Sequence, residues 1–172
     1  MEVVQLVERY SVKDYEQWEG DWELIKGVPY AMAPAPVSKH QWILMRLGAF
    51  LNEALEECDE CYVLGEAEWR ISNDTVVRPD VMVVCGKMAN YVDQTPQIIF
   101  EILSPSTRMR DEVMKRSLYQ SLGVQYYVMV DPDSEEVVFL KLDGEYKKSE
   151  PVFTICDKDI ILDIDYIFKR RK

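Results

Sequence analysis

One apolar run, at residues 97–103, constrains the fold more than any other part of the chain. Its centre reads Ile-Ile-Phe-Glu-Ile-Leu, which is typical of a strand buried on both faces. Residues 104–107 are helix-capping types, and they predict a helix that runs to about Leu122 and ends at Gly123. A second apolar strand is expected at residues 124–131. A helical crossover makes two such strands parallel neighbours, so the sequence predicts an α/β sheet.

Shorter elements on both sides of this unit complete a mixed sheet. Apolar residues at helical spacing predict a helix over residues 40–57, and alternation predicts a half-exposed strand over residues 61–71. The other expected elements are a hairpin (22–32), an interrupted strand (76–85), a strand (135–142) that forms a hairpin with strand 124–131, and two short C-terminal strands. We therefore expect one α/β domain, residues 1–172, in which a mixed β-sheet is flanked by helices and by N-terminal and C-terminal β-hairpins.

The charge of the chain argues against nucleic acid as a partner. The formal net charge is −11, whereas affinity for nucleic acid comes largely from Lys and Arg residues that neutralise phosphates. Positive charge is concentrated only at residues 104–125 and 169–172. No apolar run reaches the roughly 18 residues of a membrane span, and no signal-peptide pattern is present. We therefore expect a cytoplasmic protein that does not enter a membrane.

The chain has four cysteines, Cys58, Cys61, Cys85 and Cys156. The first two have the CxxC spacing of half a zinc site, but no second pair follows, and a tetrahedral site needs four ligands. Without an export signal, reduced thiols are expected. We interpret them as part-buried small apolar side chains, with a metal or redox site as the alternative.

Two carboxylates stand at unusual places in the expected strands. Glu101 lies inside the apolar run, where a carboxylate is costly unless it is paired or bound to a cation. Asp80 follows Pro79, which cannot donate to a strand ladder and therefore indicates an edge or a bulge. A salt bridge for Glu101 and a turn for Asp80 are the ordinary explanations. Together, the two carboxylates can converge on one hard cation such as Mg²⁺.

A lysine is the third expected component, because it orients water or stabilises charge that develops on a phosphate. In a Glu-x-Lys strand the lysine shares the face of the glutamate, but that position is Leu103 here. Lys115 is the candidate replacement, since Asp111, Lys115 and Tyr119 share one helix face at i, i+4 and i+8. The alternative for Lys115 is an ordinary surface pair with Asp111.

The sequence around these residues carries further motifs. They are Arg78-Pro79-Asp80-Val81, the segment 100–107, Asp111, Lys115, Tyr119, Gly123-Val124, Tyr126-Tyr127 to Asp131-Pro132, and the N-terminal segment 22–27 with Met32 and His40. On these motifs, which span about residues 15–165, the chain resembles the Uma-type family of restriction endonuclease-like proteins. The resemblance implies a restriction endonuclease-like fold with a PD-(D/E)xK site. It also implies that Asp80 and Glu101 bind Mg²⁺ or Mn²⁺ and that Lys115 is a migrated catalytic lysine.

The function expected from these residues is metal-dependent hydrolysis of phosphodiester bonds, with DNA favoured over RNA and Lys115 assisting the attacking water. Glu23, His40 and Tyr119 are accessory candidates. Glu23 would reach the metal, His40 would act as a general base, and Tyr119 would hold the lysine or the substrate. The alternatives are a solvated strand carboxylate for Glu23 and a surface or capping role for His40. A non-catalytic nucleic-acid or protein interaction module with the same fold is the alternative function, and a homodimer is also expected.

Overall fold

The structure is a computed structural model, and it describes residues 7–32 and 37–169. Its helices are α1 (Val12–Tyr15), α2 (Ser38–Ala54), α3 (Arg116–Ser121) and α4 (Ile164–Phe168), and a π-helical segment (Arg110–Lys115) continues directly into α3. Its strands are β1 (Trp22–Ile25), β2 (Val28–Ala31), β3 (Cys61–Gly65), β4 (Trp69–Ser72), β5 (Thr75–Val77), β6 (Val81–Cys85), β7 (Ile98–Ile102), β8 (Tyr126–Val130), β9 (Val137–Asp143), β10 (Glu145–Lys148), β11 (Val152–Ile155) and β12 (Lys158–Ile161). None of the helices in the described ranges is long and apolar enough to cross a membrane.

A six-stranded sheet with the order β10-β9-β8-β7-β6-β3 forms the centre of the molecule. Strands β7 and β8 are parallel, with Glu101 paired to Met129, and their other neighbours are antiparallel. The helix between these two strands supplies the crossover that the sequence predicts. Both strands are buried along their full length, as their continuous apolar runs indicate. The prediction of a mixed α/β sheet is confirmed.

The two faces of this sheet bury two separate apolar clusters. On one face, Phe100 and its neighbours pack against Leu47 and Leu51 of α2. On the other face, Ile99 and Met129 pack against Leu118 and Tyr119 of α3. Glu101 shares this second face because side chains alternate along a strand. Its carboxylate is therefore directed toward the crossover helix.

The chain crosses between two sheets at one common junction, which corrects two sequence predictions. The single strand predicted over residues 61–71 breaks at Glu66, whose φ of 51° ends β3, and β4 then joins a second sheet with the order β2-β1-β5-β4. The interrupted strand 76–85 divides in the same way, with β5 in the second sheet and β6 in the first. The Glu66 amide donates a hydrogen bond of normal length, 3.0 Å, to the Asp80 carbonyl. Asp80 therefore lies at the junction of the two sheets.

Both terminal regions contain the expected hairpins. Strands β1 and β2 pair across Lys26 and Gly27, which both have positive φ angles of 51° and 77°. Strand β9 pairs with β8 and with β10, and β11 pairs with β12. Three short strands follow Asp143 rather than the predicted two. Residues 170–172 of the basic C-terminal segment lie outside the described residues.

The cysteines lie in two close pairs, whereas the sequence predicts reduced, part-buried side chains with a metal or redox site as the alternative. The structure places Cys58 next to Cys156 and Cys61 next to Cys85, with the two sulfurs of each pair within bonding distance. The separation in sequence between Cys58 and Cys156 is 98 residues, so no local pattern indicates their contact. The end of α2, the edge of the six-stranded sheet and the β11–β12 hairpin meet at this point and bring the thiols together.

Candidate active site

A cleft of about 440 Å³ opens where the two sheets and the crossover helix meet. It gathers most of the polar residues that the sequence singles out, and its lining includes Glu23, His40, Asp80, Glu101, Asp111 and Lys115. Tyr119 lies beneath it and is fully buried. All three principal candidates and all three accessory candidates therefore lie in or next to one cavity.

Glu101 is buried in β7 and is held by two donors. Its side chain is 3% exposed, and Oε1 accepts hydrogen bonds from Lys115 Nζ at 2.9 Å and from Tyr119 Oη at 3.0 Å. Burial raises the pKa of Glu101 well above its usual value; Lys115 opposes this, and the charges of nearby carboxylates add to it. A further cation beside this carboxylate would lower its pKa and stabilise its negative charge.

Lys115 is the cation at the centre of this cluster. Its Nζ lies 2.9 Å from Glu101 Oε1, 2.9 Å from Glu23 Oε1 and 3.5 Å from Asp111 Oδ1. Burial alone would lower the pKa of Lys115, but these three carboxylates outweigh it and raise the pKa well above its usual value. Lys115 and Asp111 are only 4% and 2% exposed, so the interpretation of this pair as an ordinary surface pair is wrong.

The π-helical segment Arg110–Lys115 positions this lysine. Isolated π-helical turns inside α-helices occur frequently at functional sites. Here the segment faces the second sheet, and Arg110 Nη1 lies 3.1 Å from Glu23 Oε2. The Tyr127 hydroxyl donates to the Asp111 carbonyl at 2.8 Å, which anchors the segment on β8.

Glu23 is a buried part of the cluster and not a solvated strand carboxylate. It is 1% exposed in β1, and Oε1 accepts a hydrogen bond from the Arg78 amide at 2.8 Å. Burial opposes ionisation, but Lys115, this amide and Arg110 together lower the pKa of Glu23 below its usual value. Glu23 therefore carries a negative charge that the protein itself balances.

Asp80 is fixed by one backbone donor and one histidine. Its Oδ2 accepts a hydrogen bond from the Ile102 amide at 2.6 Å, and His40 Nε2 lies 3.2 Å from Oδ1. The Ile102 amide links Asp80 to the strand that carries Glu101. Burial lowers the pKa of His40, but Asp80 and more distant acids outweigh this and raise it. His40 thus contacts a candidate metal ligand, and its side chain does not cap α2.

The acids of the cluster outnumber its cations. In their ionised forms, Glu23, Asp80, Glu101 and Asp111 contribute four negative charges, whereas Lys115 and Arg110 contribute two positive charges, so the sum is −2 with His40 neutral. Asp111 Oδ1 is buried without a hydrogen-bond partner among the described residues. Burying unbalanced charge is costly. A divalent cation would balance this charge.

The geometry limits how a cation would be held. Both hydrogen bonds that Glu101 accepts within residues 7–32 and 37–169 go to Oε1, so Oε2 is the oxygen available to a metal. In the same ranges no three carboxylates converge within 4.8 Å of one another. A cation would therefore take one or two protein carboxylates, with water and substrate phosphate as its other ligands. This is the usual arrangement for Mg²⁺, and the residues fit it.

Two parts of this arrangement are not predicted from the sequence. Asp111 is predicted only as a partner for Lys115, although its spacing to Lys115 and Tyr119 on one helix face is a signal of burial. Arg110 is predicted only as part of a basic stretch, and its contact with Glu23, 87 residues away, has no local signal. The functional roles of Asp80, Glu101 and Lys115 stay predictions.

Comparisons with known proteins agree with the fold and the motifs. The model of the Uma2 family, which carries the description "Putative restriction endonuclease", matches residues 12–154. A similar solved structure is that of a "putative nuclease belonging to DUF820" from Anabaena variabilis. The two structures superpose with a TM-score of 0.76 at 19% sequence identity, and the match covers 92% of this chain and 97% of the Anabaena chain. This likeness shows a shared fold. No curated protein matches the chain.

Proposed function

The chain belongs to the Uma2 family, and from this premise we propose that it is a nuclease that hydrolyses phosphodiester bonds of DNA with Mg²⁺ or Mn²⁺. The description of the family as a restriction endonuclease supports a nuclease and favours DNA over RNA. The observation that carries the proposal is the cluster in which three buried carboxylates contact Lys115 and Arg110 and a fourth, Asp80, lies beside them in the same cleft. A cluster with this excess of negative charge is costly to bury unless it binds a cation.

Asp80 and Glu101 are the proposed metal ligands. Oδ2 of Asp80 is held by the Ile102 amide and Oδ1 by His40, while Glu101 is held through Oε1 and presents Oε2. When bound, a divalent cation polarises the phosphate and lowers the pKa of its water ligand. Hydrogen-bond partners of this kind fix the orientation of ligating carboxylates.

Lys115 is the proposed catalytic lysine. Its ammonium group lies beside Glu101 at 2.9 Å, where it orients the attacking water and stabilises the negative charge that develops on the phosphate. Glu23 and Asp111 keep this lysine protonated, since both carboxylates raise its pKa. Tyr119 fixes the glutamate from the opposite side through its hydroxyl group.

The chain has a net charge of −11, which repels DNA. Cations along the cleft are proposed to counter this repulsion where the substrate binds. Lys39, Arg78 and Arg110 line the cleft, and they would contact phosphates on either side of the scissile bond. Because such contacts release counterions, DNA affinity should fall as salt concentration rises.

The test is cleavage of supercoiled and single-stranded DNA, with an RNA of the same sequence in parallel, in Mg²⁺, in Mn²⁺ and in excess chelator. The variants are Asp80→Asn, Glu101→Gln and Lys115→Met. The matched control is Glu112→Gln, which changes a half-exposed acid of the same π-helical segment that pairs with Arg108 outside the cluster. The proposal predicts metal-dependent cleavage of DNA that falls by at least about 100-fold in the three variants and is retained in the control.

Two results would contradict the proposal. Equal cleavage by the wild type and by the folded Glu101→Gln and Asp80→Asn variants would exclude these residues as the site. Preferential cleavage of RNA would leave the assignment of the site intact but contradict the proposal that DNA is the substrate. Thermal unfolding of each variant, measured alongside, separates loss of activity from loss of structure.

A further inference from the structure

The four cysteines of the chain meet at one point, away from the cleft. Cys58 follows α2, Cys61 begins β3, Cys85 ends β6, and Cys156 lies in the turn between β11 and β12. The Sγ atoms of Cys58, Cys61 and Cys156 lie within 4.8 Å of one another, and Cys85 is paired to Cys61. The whole cysteine complement of the chain is therefore gathered in one cluster.

This convergence exceeds what two disulfides require. Two independent disulfides need two pairs of adjacent thiols, and the pairs need not be near each other. Here the Sγ atoms of Cys61 and Cys156, which belong to different pairs, lie 3.6 Å apart. In a tetrahedral zinc site with Zn–S bonds of about 2.3 Å, neighbouring sulfurs lie about 3.8 Å apart. A single ion requires its thiols to approach one another in this way, and here three of them do so while Cys85 lies next to Cys61.

The local backbone also has the form of a metal-binding turn. Cys58 and Cys61 are separated by two residues, and the Cys61 amide donates to the Cys58 carbonyl at 3.1 Å, which closes the turn. Cys156 has a positive φ of 52°, so the opposing hairpin turn is equally tight. A CxxC turn that faces two further cysteines from other segments is a common arrangement of structural zinc sites.

We propose that the reduced chain binds one structural Zn²⁺ ion through Cys58, Cys61, Cys85 and Cys156. The four thiols lose their protons to solvent when the ion binds, and no electron is transferred. Four sulfur ligands complete the tetrahedron and leave no open position, so the ion would not act in catalysis. Its role is to fasten the β11–β12 hairpin and the end of α2 to the edge strand β3.

The zinc site is independent of the proposed nuclease site. Asp80 precedes β6 and Cys85 ends it, so the two sites lie at opposite ends of one strand. Five residues of extended strand separate them by about 16 Å. Failure of either proposal therefore leaves the other untouched.

The experiment measures metal and thiols on the same full-length sample. The wild-type chain is isolated in a reducing buffer without chelator, and its zinc content is measured by elemental mass spectrometry. A second aliquot is denatured with chelator and an alkylating reagent, so that every thiol that is not in a disulfide is counted. The reduced, metal-free chain is also titrated with Co²⁺, which absorbs intensely when four thiolates surround it. Cys61→Ser and Cys156→Ser are the test variants, and Asp59→Asn, inside the CxxC turn, is the matched control.

We expect one zinc per wild-type chain, four alkylated thiols, and a thiolate–cobalt absorption that saturates at one equivalent of Co²⁺. Both serine variants should lose the zinc and the absorption, whereas Asp59→Asn should keep them. Asp80→Asn should also keep them, which distinguishes zinc on the thiols from a cation in the acidic cleft. A wild-type chain without zinc, whether its cysteines are free or in two disulfides, would overturn the proposal. This result does not depend on how well the variants fold.

Discussion

The ammonium group of Lys115 lies 2.9 Å from the carboxylate of Glu101, and both side chains are almost completely buried. The pair links the crossover helix to the strand β7 before it. An intact buried ion pair contributes little net stability. Removing one partner, however, destabilises the fold strongly, because the remaining buried charge has neither a partner nor water around it. Substitutions in this cluster should therefore change the stability of the fold as well as any nuclease activity.

Removal of the central cation should destabilise the fold. Lys115→Met leaves Glu101, Glu23 and Asp111 without their shared partner, and in the absence of divalent cations we expect a loss of roughly 3–5 kcal/mol in the free energy of unfolding at neutral pH. Urea denaturation measures it. Lys147→Met removes an exposed lysine that pairs with Asp143 and should have little effect. Equal stability of the two variants would show that the buried charges are not coupled.

The hydroxyl group of Tyr119 should contribute to the position of Glu101. Tyr119→Phe removes the donor 3.0 Å from Oε1 and leaves the ring in place, and we expect a loss of about 1–3 kcal/mol. The control is Tyr62→Phe, because the Tyr62 hydroxyl bonds at the surface to the Lys87 carbonyl. Cleavage by Tyr119→Phe should fall less than cleavage by Glu101→Gln. A Tyr119→Phe variant as stable as the wild type would exclude a structural role for this bond.

How much of this site could be predicted differs from residue to residue. Asp80 and Glu101 carry local signals, since one follows a proline beside a strand and the other interrupts an apolar run. Lys115 could be inferred because its helix must pack on the strand that precedes it. The burial of Glu23 could not be predicted, because it depends on a contact between β1 and the π-helical segment that no local pattern encodes.

The same distinction applies to the fold. The parallel pair β7 and β8 follows from two apolar runs joined by a helix, and the structure confirms it. The division of residues 61–71 between two sheets could not be predicted, because the apolar and polar residues continue to alternate through Glu66. The positive φ at that residue is imposed by pairing with distant strands. The meeting of the four cysteines depends on contacts of the same long range.

His40 should affect metal affinity through Asp80. The His40 Nε2 atom lies 3.2 Å from Asp80 Oδ1, and loss of such a partner typically weakens metal binding by about 10–100-fold. His40→Gln should therefore weaken Mn²⁺ binding, measured by isothermal titration calorimetry, without abolishing it. Asp80→Asn should weaken it further. Unchanged affinity in His40→Gln would leave this histidine without a role in orienting Asp80.

Acid stability should depend on a second ion pair at the rim of the crossover helix. Arg108 donates to Asp131 and, with the Asp133 and Ser134 amides, lowers the pKa of Asp131 from 3.8 to about 2, although burial opposes this. A depressed carboxylate pKa contributes stability above the unfolded value, and this contribution is lost as the pH falls through the folded value.

Asp131→Asn should therefore be less stable than the wild type above about pH 4, and the difference should shrink between pH 4 and pH 2. Thermal unfolding across this range measures it. Asp143→Asn, at an exposed aspartate on β9, is the control. A difference that stays constant with pH would contradict the assigned ion pair.

The most direct test of the central claim is a crystal structure with Mn²⁺, whose anomalous scattering locates the ion. We expect a Mn²⁺ ion in the cleft in contact with a carboxylate oxygen of Asp80 and with Oε2 of Glu101. This ion should be absent from a Glu101→Gln crystal prepared in the same way. A cleft without anomalous signal at saturating Mn²⁺, with Lys115 still bonded to Glu101 and Glu23, would mean that the protein balances these acids by itself, and the proposed metal-dependent nuclease would be wrong.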